Sequence, residues 1–96
     1  MSAELGPDLS VIIVNWNTKE LLLNCLESFY RTVKGFTSEI FVVDNGSNDG
    51  SPDSVRRKFP EIELIQNQRN LGFARANNEA LRRSKGRYGL LLNTDV

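Results

Sequence analysis

Histidine is missing from all 96 residues. Its absence removes the commonest zinc ligand, the usual general base near neutral pH, and any Ser-His or Cys-His nucleophile pair. Chemistry here has to come from carboxylates, amides or a bound metal. Cysteine occurs once, as Cys25, so no internal disulfide can form. Residues 1–8 form a polar leader with Glu4 and Pro7 and no apolar run or cleavage-site pattern of a secretory signal. Together these point to a cytoplasmic setting. Long apolar runs are absent too: residues 11–14 and 90–92 fall far short of the roughly 20 needed to span a bilayer. Net charge is also lacking, since 12 Lys and Arg offset 12 Asp and Glu, and no overall field favours nucleic acid as a ligand. Finally, no Gly-x-Gly-x-x-Gly follows the first apolar run and no Gly-x-x-x-x-Gly-Lys-Ser/Thr occurs. Neither dinucleotide cradling nor a P-loop is supported.

What remains is the composition of one ordinary globular domain, 40% hydrophobic and 25% charged. A chain of this length hides only about 60–65% of the surface its unfolded form exposes, so partners that cover more of it would matter.

The order of elements is legible. Residues 9–14 are a near-continuous apolar, β-branched run, the pattern of a parallel strand buried on both faces, and they end in Asn15-Trp16-Asn17. An Asn17 N-cap with Glu20 three residues on predicts a capping box opening a first helix, with Leu22, Leu26, Phe29 and Val33 on one face and an end near Gly35. Residues 40–43 repeat the buried-strand pattern and run into the turn-rich stretch 44–51. Ser51-Pro52 predicts the start of a short helix reaching about Phe59. Residues 62–66 alternate more, which predicts an edge strand. A third helix opens at Leu71-Gly72-Phe73, ends on Arg82, Arg83 and Lys85 before Gly86, and leads into a fourth strand over 88–92. The resulting βαβαβαβ order predicts an α/β fold: a Rossmann-like parallel sheet with flanking helices and right-handed crossovers. In such sheets ligands bind outside the carboxyl ends of the strands, at the point where strand order reverses. The polar clusters 15–17, 44–48, 67–72 and 93–95 should therefore converge on one edge.

Each cluster admits a chemical and a purely structural role. Asp44 is placed to accept a hydrogen bond from a base imide or a ribose hydroxyl, and equally to cap the Asn45-Gly46 turn. Asp95 is placed to hold Mg2+ or Mn2+ against a diphosphate, since a hard cation with bound phosphates takes one or two carboxylates, and equally to close a strand-end turn. Asn70, Gly72, Arg75 and Asn78 surround the start of the third helix, where exposed N–H groups favour an anion. A lone Arg75 is more commonly just a solvated helix residue. Trp16 fits a base pocket or simple packing, and Cys25 fits the core.

Four segments in series, residues 10–17, 42–51, 70–77 and 90–96, resemble the family-2 inverting glycosyltransferases of GT-A fold, especially the rhamnosyltransferase-like branch. The match covers nearly everything after Asp8. It implies that the chain is the N-terminal half of a GT-A fold, with 9–96 as a partial nucleotide-sugar-binding domain that stops before the acceptor region. It also implies that Asn15, Asn17 and Asp44 contact base and ribose, and that Asn70, Gly72 and Arg75 border the nucleotide. Asn93 and Asp95 would stand at the Asp-x-Asp-type motif, with Asp95 as metal ligand and Asn93 in place of the first acid. The expected activity is transfer of a sugar from a UDP- or TDP-type donor to a saccharide or lipid-linked acceptor, in cell-surface polysaccharide synthesis. The expected location is cytoplasmic, peripheral to the inner face of the membrane. The family's catalytic base would lie beyond Val96, so no catalytic residue is assigned here and the 96 residues alone should not transfer sugar. An exposed fourth-strand edge would favour homo-oligomers. The competing reading is a non-catalytic nucleotide-binding or interaction module. A nicotinamide-dependent oxidoreductase lacks its glycine fingerprint.

Overall fold

A computed structural model describes residues 6–92 and Thr94. The elements alternate: β1 (Leu9–Asn15), α1 (Lys19–Thr32), β2 (Ser38–Asn45), α2 (Ser51–Lys58), β3 (Glu63–Asn67), α3 (Phe73–Arg83) and β4 (Tyr88–Leu92). The four strands form one parallel sheet in the order β3-β2-β1-β4. The two strands with near-continuous apolar sequence, β1 and β2, take the central positions where both faces are covered. The alternating β3 lies at an edge, as its pattern predicts.

Side chains alternate across the sheet and build two separate cores. On one face Val11, Ile13, Ile40 and Val42 meet Leu22, Leu26 and Phe29 of α1 and Val55 of α2. On the other, Ile12, Phe41, Val43 and Ile65 meet only Ala76 and Ala80 of α3. Alanine at both contact positions lets the helix backbone approach the sheet closely. Because that face has one helix, Leu91 of β4, paired with Ile12, is 51% exposed, and on the opposite face Tyr88, at the start of this edge strand, is 64% exposed. No helix among the described residues is long and apolar enough to cross a membrane.

Two helix starts differ from the sequence expectation. The N-cap of α1 is Thr18, not Asn17, and no side-chain cap comes from the capping residue itself. Asn17 instead adopts φ +54°, a left-handed conformation that Asn tolerates better than most residues. The free N–H of Lys19 is taken by Asp49 Oδ2 at 3.0 Å, from another loop. Likewise α2 is preceded by Gly50, with Ser51 already inside the helix. In both cases Asp49 supplies the cap that local sequence suggested would come from the helix's own first residues.

Winding passes from β1 outward through β2 to β3, then returns to place β4 on the other side of β1. Strand order thus reverses between β1 and β4, and the carboxyl ends of those strands frame the expected crevice.

Candidate functional site

Three of the strands, β1, β2 and β3, end in asparagine at the same edge. Parallel register pairs Asn15 with Asp44, and Asn45 with Asn67, as the last partners of their ladders. Asp44 and Asn45 are neighbours in one strand and so serve opposite faces of the sheet.

On the α1 side Asp44, only 2% exposed, is the centre of a closed network. Its Oδ1 accepts from Asn15 Nδ2 at 2.8 Å and from the Ser47 hydroxyl at 2.7 Å, and its Oδ2 accepts the Ser47 N–H at 2.9 Å. The carboxylate therefore does cap its own turn, while an ionised carboxylate accepts about four bonds and retains one acceptor position on Oδ2. Because the carboxylate only accepts, the Asn15 carboxamide must present its NH2 group to it. That leaves Asn15 Oδ1 to accept from the Thr18 hydroxyl at 2.7 Å. The Thr18 proton being committed, the 3.4 Å contact between the Thr18 and Thr94 hydroxyls has Thr94 as donor. This contact joins the ends of β1 and β4 at the point of strand-order reversal.

Ser47 also accepts the Asn17 N–H at 2.8 Å, and Asn17 Oδ1 accepts the Asn48 N–H at 2.9 Å. The two loops are thereby bound to one another on both sides. Below them Asp49 Oδ1 accepts the Ser51 N–H at 3.0 Å and the Ser51 hydroxyl, in addition to the Lys19 bond on Oδ2. Partial burial pushes the Asp49 carboxyl upward, but the Ser51 and Lys19 donors outweigh it and hold the group below the usual carboxylate range.

On the α3 side, Asn45 donates to the Gly72 carbonyl at 3.3 Å and accepts from Asn67 Nδ2 at 3.0 Å. Asn70 Oδ1 accepts the Gly72 N–H at 2.8 Å. A cleft of about 200 Å³ opens between these groups, lined by Val14, Trp16, Thr18, Asn45, Asn70, Phe73 and Thr94. Trp16 is 53% and Phe73 59% exposed at its rim, so the cleft combines amide donors and acceptors with aromatic surface.

Of the residues expected from sequence, Asn15, Asn17, Asp44, Asn70 and Gly72 come together at this edge. Of these Asn70 lines the cleft itself, while Asn15, Asn17, Asp44 and Gly72 lie beside it in the flanking strand ends and loops, and Arg75 does not line it. Arg75 is exposed on the flank of α3, beside Leu71, Asn78, Glu79 and Arg82. Asn93 and Asp95 lie outside the described residues. Sequence reasoning gave no individual role to Thr18, Asn45, Ser47 and Asp49, although Asn45 and Ser47 fall within the 44–48 cluster expected at this edge. Asp49, two residues before Ser51-Pro52, carried a capping signal; the Asn45–Asn67 pair depends on strand register, which a single sequence does not reveal.

A larger cavity, about 450 Å³, lies on the flank between α1 and β4, lined by Leu21, Cys25, Phe29, Leu90, Leu92 and others. Burial there pushes the Cys25 thiol up. Its lining holds no strand-end amide, whereas the smaller cleft has Asn45 at the end of β2 and Asn70 beside it, so the smaller cleft is the better candidate.

Comparison with known proteins bears on this edge. Residues 10–96 match the family described as Glycosyl transferase family 2. The chain is 36% identical over 90 residues to the uncharacterized glycosyltransferase YfnE of Bacillus subtilis, covering 91% of this chain and 23% of that one. It is 35% identical over 89 residues to the Escherichia coli UDP-Glc:alpha-D-GlcNAc-diphosphoundecaprenol beta-1,3-glucosyltransferase WfaP, covering 91% of this chain and 35% of that one. Among solved structures, the mannosyltransferase PcManGT of Pyrobaculum calidifontis in complex with GDP-Man and Mn2+ superposes with a TM-score of 0.82 at 30% identity, over 93% of this chain and 28% of that one. The chain thus spans about a quarter to a third of the length of these relatives, and its four-stranded sheet matches the N-terminal part of their GT-A fold.

Proposed function

The chain belongs to glycosyl transferase family 2, and from that premise we propose that residues 9–96 form the nucleotide-sugar-binding part of an inverting glycosyltransferase of the rhamnosyltransferase-like branch. The observation that carries the proposal is the convergence of the 15–18, 44–48 and 70–73 loops on one cleft at the point of strand-order reversal.

In this reading Asn15, Asn17 and Asp44 orient the base and ribose, while Asn70 and Gly72 border the nucleotide. Arg75 belongs to that border only if its long side chain swings from the α3 flank toward the cleft. Asn93 and Asp95 are assigned to the diphosphate by their resemblance to the Asp-x-Asp-type motif. The network around Asp44 holds its remaining acceptor position in place before a ligand arrives, so little reorganisation opposes binding. An acceptor hydroxyl displaces the nucleoside diphosphate at the anomeric carbon with inversion, and these residues contribute by positioning the donor. None of these residues is assigned as the base that takes the acceptor's proton.

The described residues include no group of three or more His, Cys, Asp or Glu that would hold a metal unaided. By its resemblance to an Asp-x-Asp-type motif, the 93–95 segment supplies Asp95 as the carboxylate that would hold Mg2+ or Mn2+ together with diphosphate oxygens, an arrangement hard cations accept. Such an ion would offset charge on the leaving diphosphate. We assign the donor to the UDP or TDP type and the acceptor to a saccharide or lipid-linked saccharide in cell-surface polysaccharide synthesis. The diphosphoundecaprenol-linked acceptor in the name of WfaP supports this, and a lipid-linked acceptor would bring the protein to the inner face of the membrane from the cytoplasm.

Calorimetric titration with UDP and TDP, with and without Mn2+, tests the proposal. Binding should depend on the metal and weaken at least roughly tenfold in Asp44→Ala and Asp95→Ala, the scale of one lost charge-assisted hydrogen bond or ligand. No binding of either nucleotide by a folded chain would favour the non-catalytic module instead.

A further inference from the structure

We propose that Asn45 is a positioning residue for donor binding: its buried carboxamide latches the start of α3 to the end of β2 and so fixes how the first turn of that helix faces the cleft. This rests on the donor-site reading above and assigns a role to a residue that neither the sequence pattern nor Asp44's network identifies.

Asn45 is 2% exposed, and both ends of its carboxamide are used. The Gly72 carbonyl can only accept, so Asn45 presents Nδ2 to it. Its Oδ1 is then left facing Asn67, which must donate. A single obligate acceptor therefore dictates the orientation of both amides. The same Gly72 carbonyl receives the Ala76 N–H at 3.2 Å, the bond that begins α3. Asn45 thus holds the atom from which the helix starts, and Asn67 holds Asn45.

The surrounding backbone leaves the helix start little freedom to find another position. Gly72 sits at φ +89°, ψ 161°, a region essentially confined to glycine. Gly46, next to Asn45, packs so closely on the following loop that a Cβ there would lie 2.9 Å from Arg69 Cα. The N-cap of α3 is Gly72, which has no side chain to cap with, and among the described residues no other side chain bonds the helix's first N–H groups, so they remain for a ligand or water. Asn45, Asn70 and Phe73 line the same cleft, and a small rotation of α3 would move the last two relative to Asp44. Since binding is sensitive to displacements well under a helical turn, the latch acts on affinity through α3.

The test compares UDP affinity, with Mn2+ present, in the 96-residue chain and in Asn45→Ala, Asn45→Asp, Asn67→Ala, the Asn45→Ala/Asn67→Ala pair and Ile40→Val, each shown to be folded by circular dichroism. Asn45→Asp keeps the shape and the acceptor for Asn67 but cannot donate to Gly72 when ionised, so it stands in if Asn45→Ala fails to fold. We expect roughly tenfold weaker binding in both Asn45 variants. Asn67→Ala should weaken it less, and the pair should be no worse than Asn45→Ala alone, because Asn67 acts through Asn45. Ile40→Val loosens the core away from the cleft and should bind as the parent does. Hydrogen exchange at the Ala76 amide should quicken in the Asn45 variants and not in Ile40→Val. Parent-like affinity in the Asn45 variants, or an equal loss in Ile40→Val, overturns the positioning role while leaving the donor reading intact. Failure of the parent chain to bind UDP removes the donor reading and this role with it.

Discussion

At the scale of residues, the site is built from short polar side chains whose first partners are one another. Asp44 illustrates how the two roles open at the sequence level coexist. It caps its turn through Ser47 and is thereby locked at the mouth of β2 with one acceptor position left. Removing it strands Asn15 and Ser47 as well, so Asp44→Ala should lose stability, by about 1–3 kcal/mol, as well as donor affinity. The strand-end positions of Asn15 and Asp44 were legible because polarity switches abruptly after an apolar run. Thr18, Ser47 and Asn45 were not, because their roles follow from which loop lies beside which.

Asp49 shows the electrostatic side of the same point. Its carboxyl is held below its ordinary value by donors from two helix starts. A depressed folded-state value means that the unfolded chain binds the proton more readily, so acid favours unfolding. The stabilisation is fully present above the ordinary carboxylate value of about 4 and is lost as pH falls through the lower folded value. Asp49→Asn should therefore be less stable than the parent at pH 7 and show a shallower acid limb in urea midpoints taken from pH 7 to pH 2. Parallel pH curves for the two proteins would contradict the role.

At the scale of elements, apolar runs and their period placed all seven, and β1 and β2 at the centre followed from apolarity on both faces. The start of α1 moved by a residue because its cap arrives from Asp49 in a distant loop, which local motifs cannot express, and that of α2 moved because the same Asp49 caps it from two residues upstream. The exposed outer strand was expected, and β4 does present Tyr88, Leu90 and Leu91 to solvent at the sheet edge. Unpaired strand edges with apolar side chains invite pairing with another chain. The purified chain should accordingly self-associate with rising concentration in sedimentation or small-angle scattering, and Leu91→Lys should suppress this. A monodisperse parent at high concentration would show that the edge is not used between copies.

At the scale of the whole molecule, the fold class came from the alternation of elements, whereas the site came from the winding order. Only that order, β3-β2-β1-β4, puts the reversal beside Asn15 and Thr94 and selects the small polar cleft over the larger apolar groove. The central claim is that the donor nucleotide occupies the cleft at the carboxyl edge. Amide chemical-shift mapping of the 96-residue chain, titrated with UDP and Mg2+, tests it most directly. The account predicts changes concentrated at residues 15–18, 44–48 and 70–76, with the α1–β4 groove and the amino edge of the sheet silent. Changes centred on Leu21, Cys25 and Leu90, or none from a folded chain at saturating nucleotide, would contradict it.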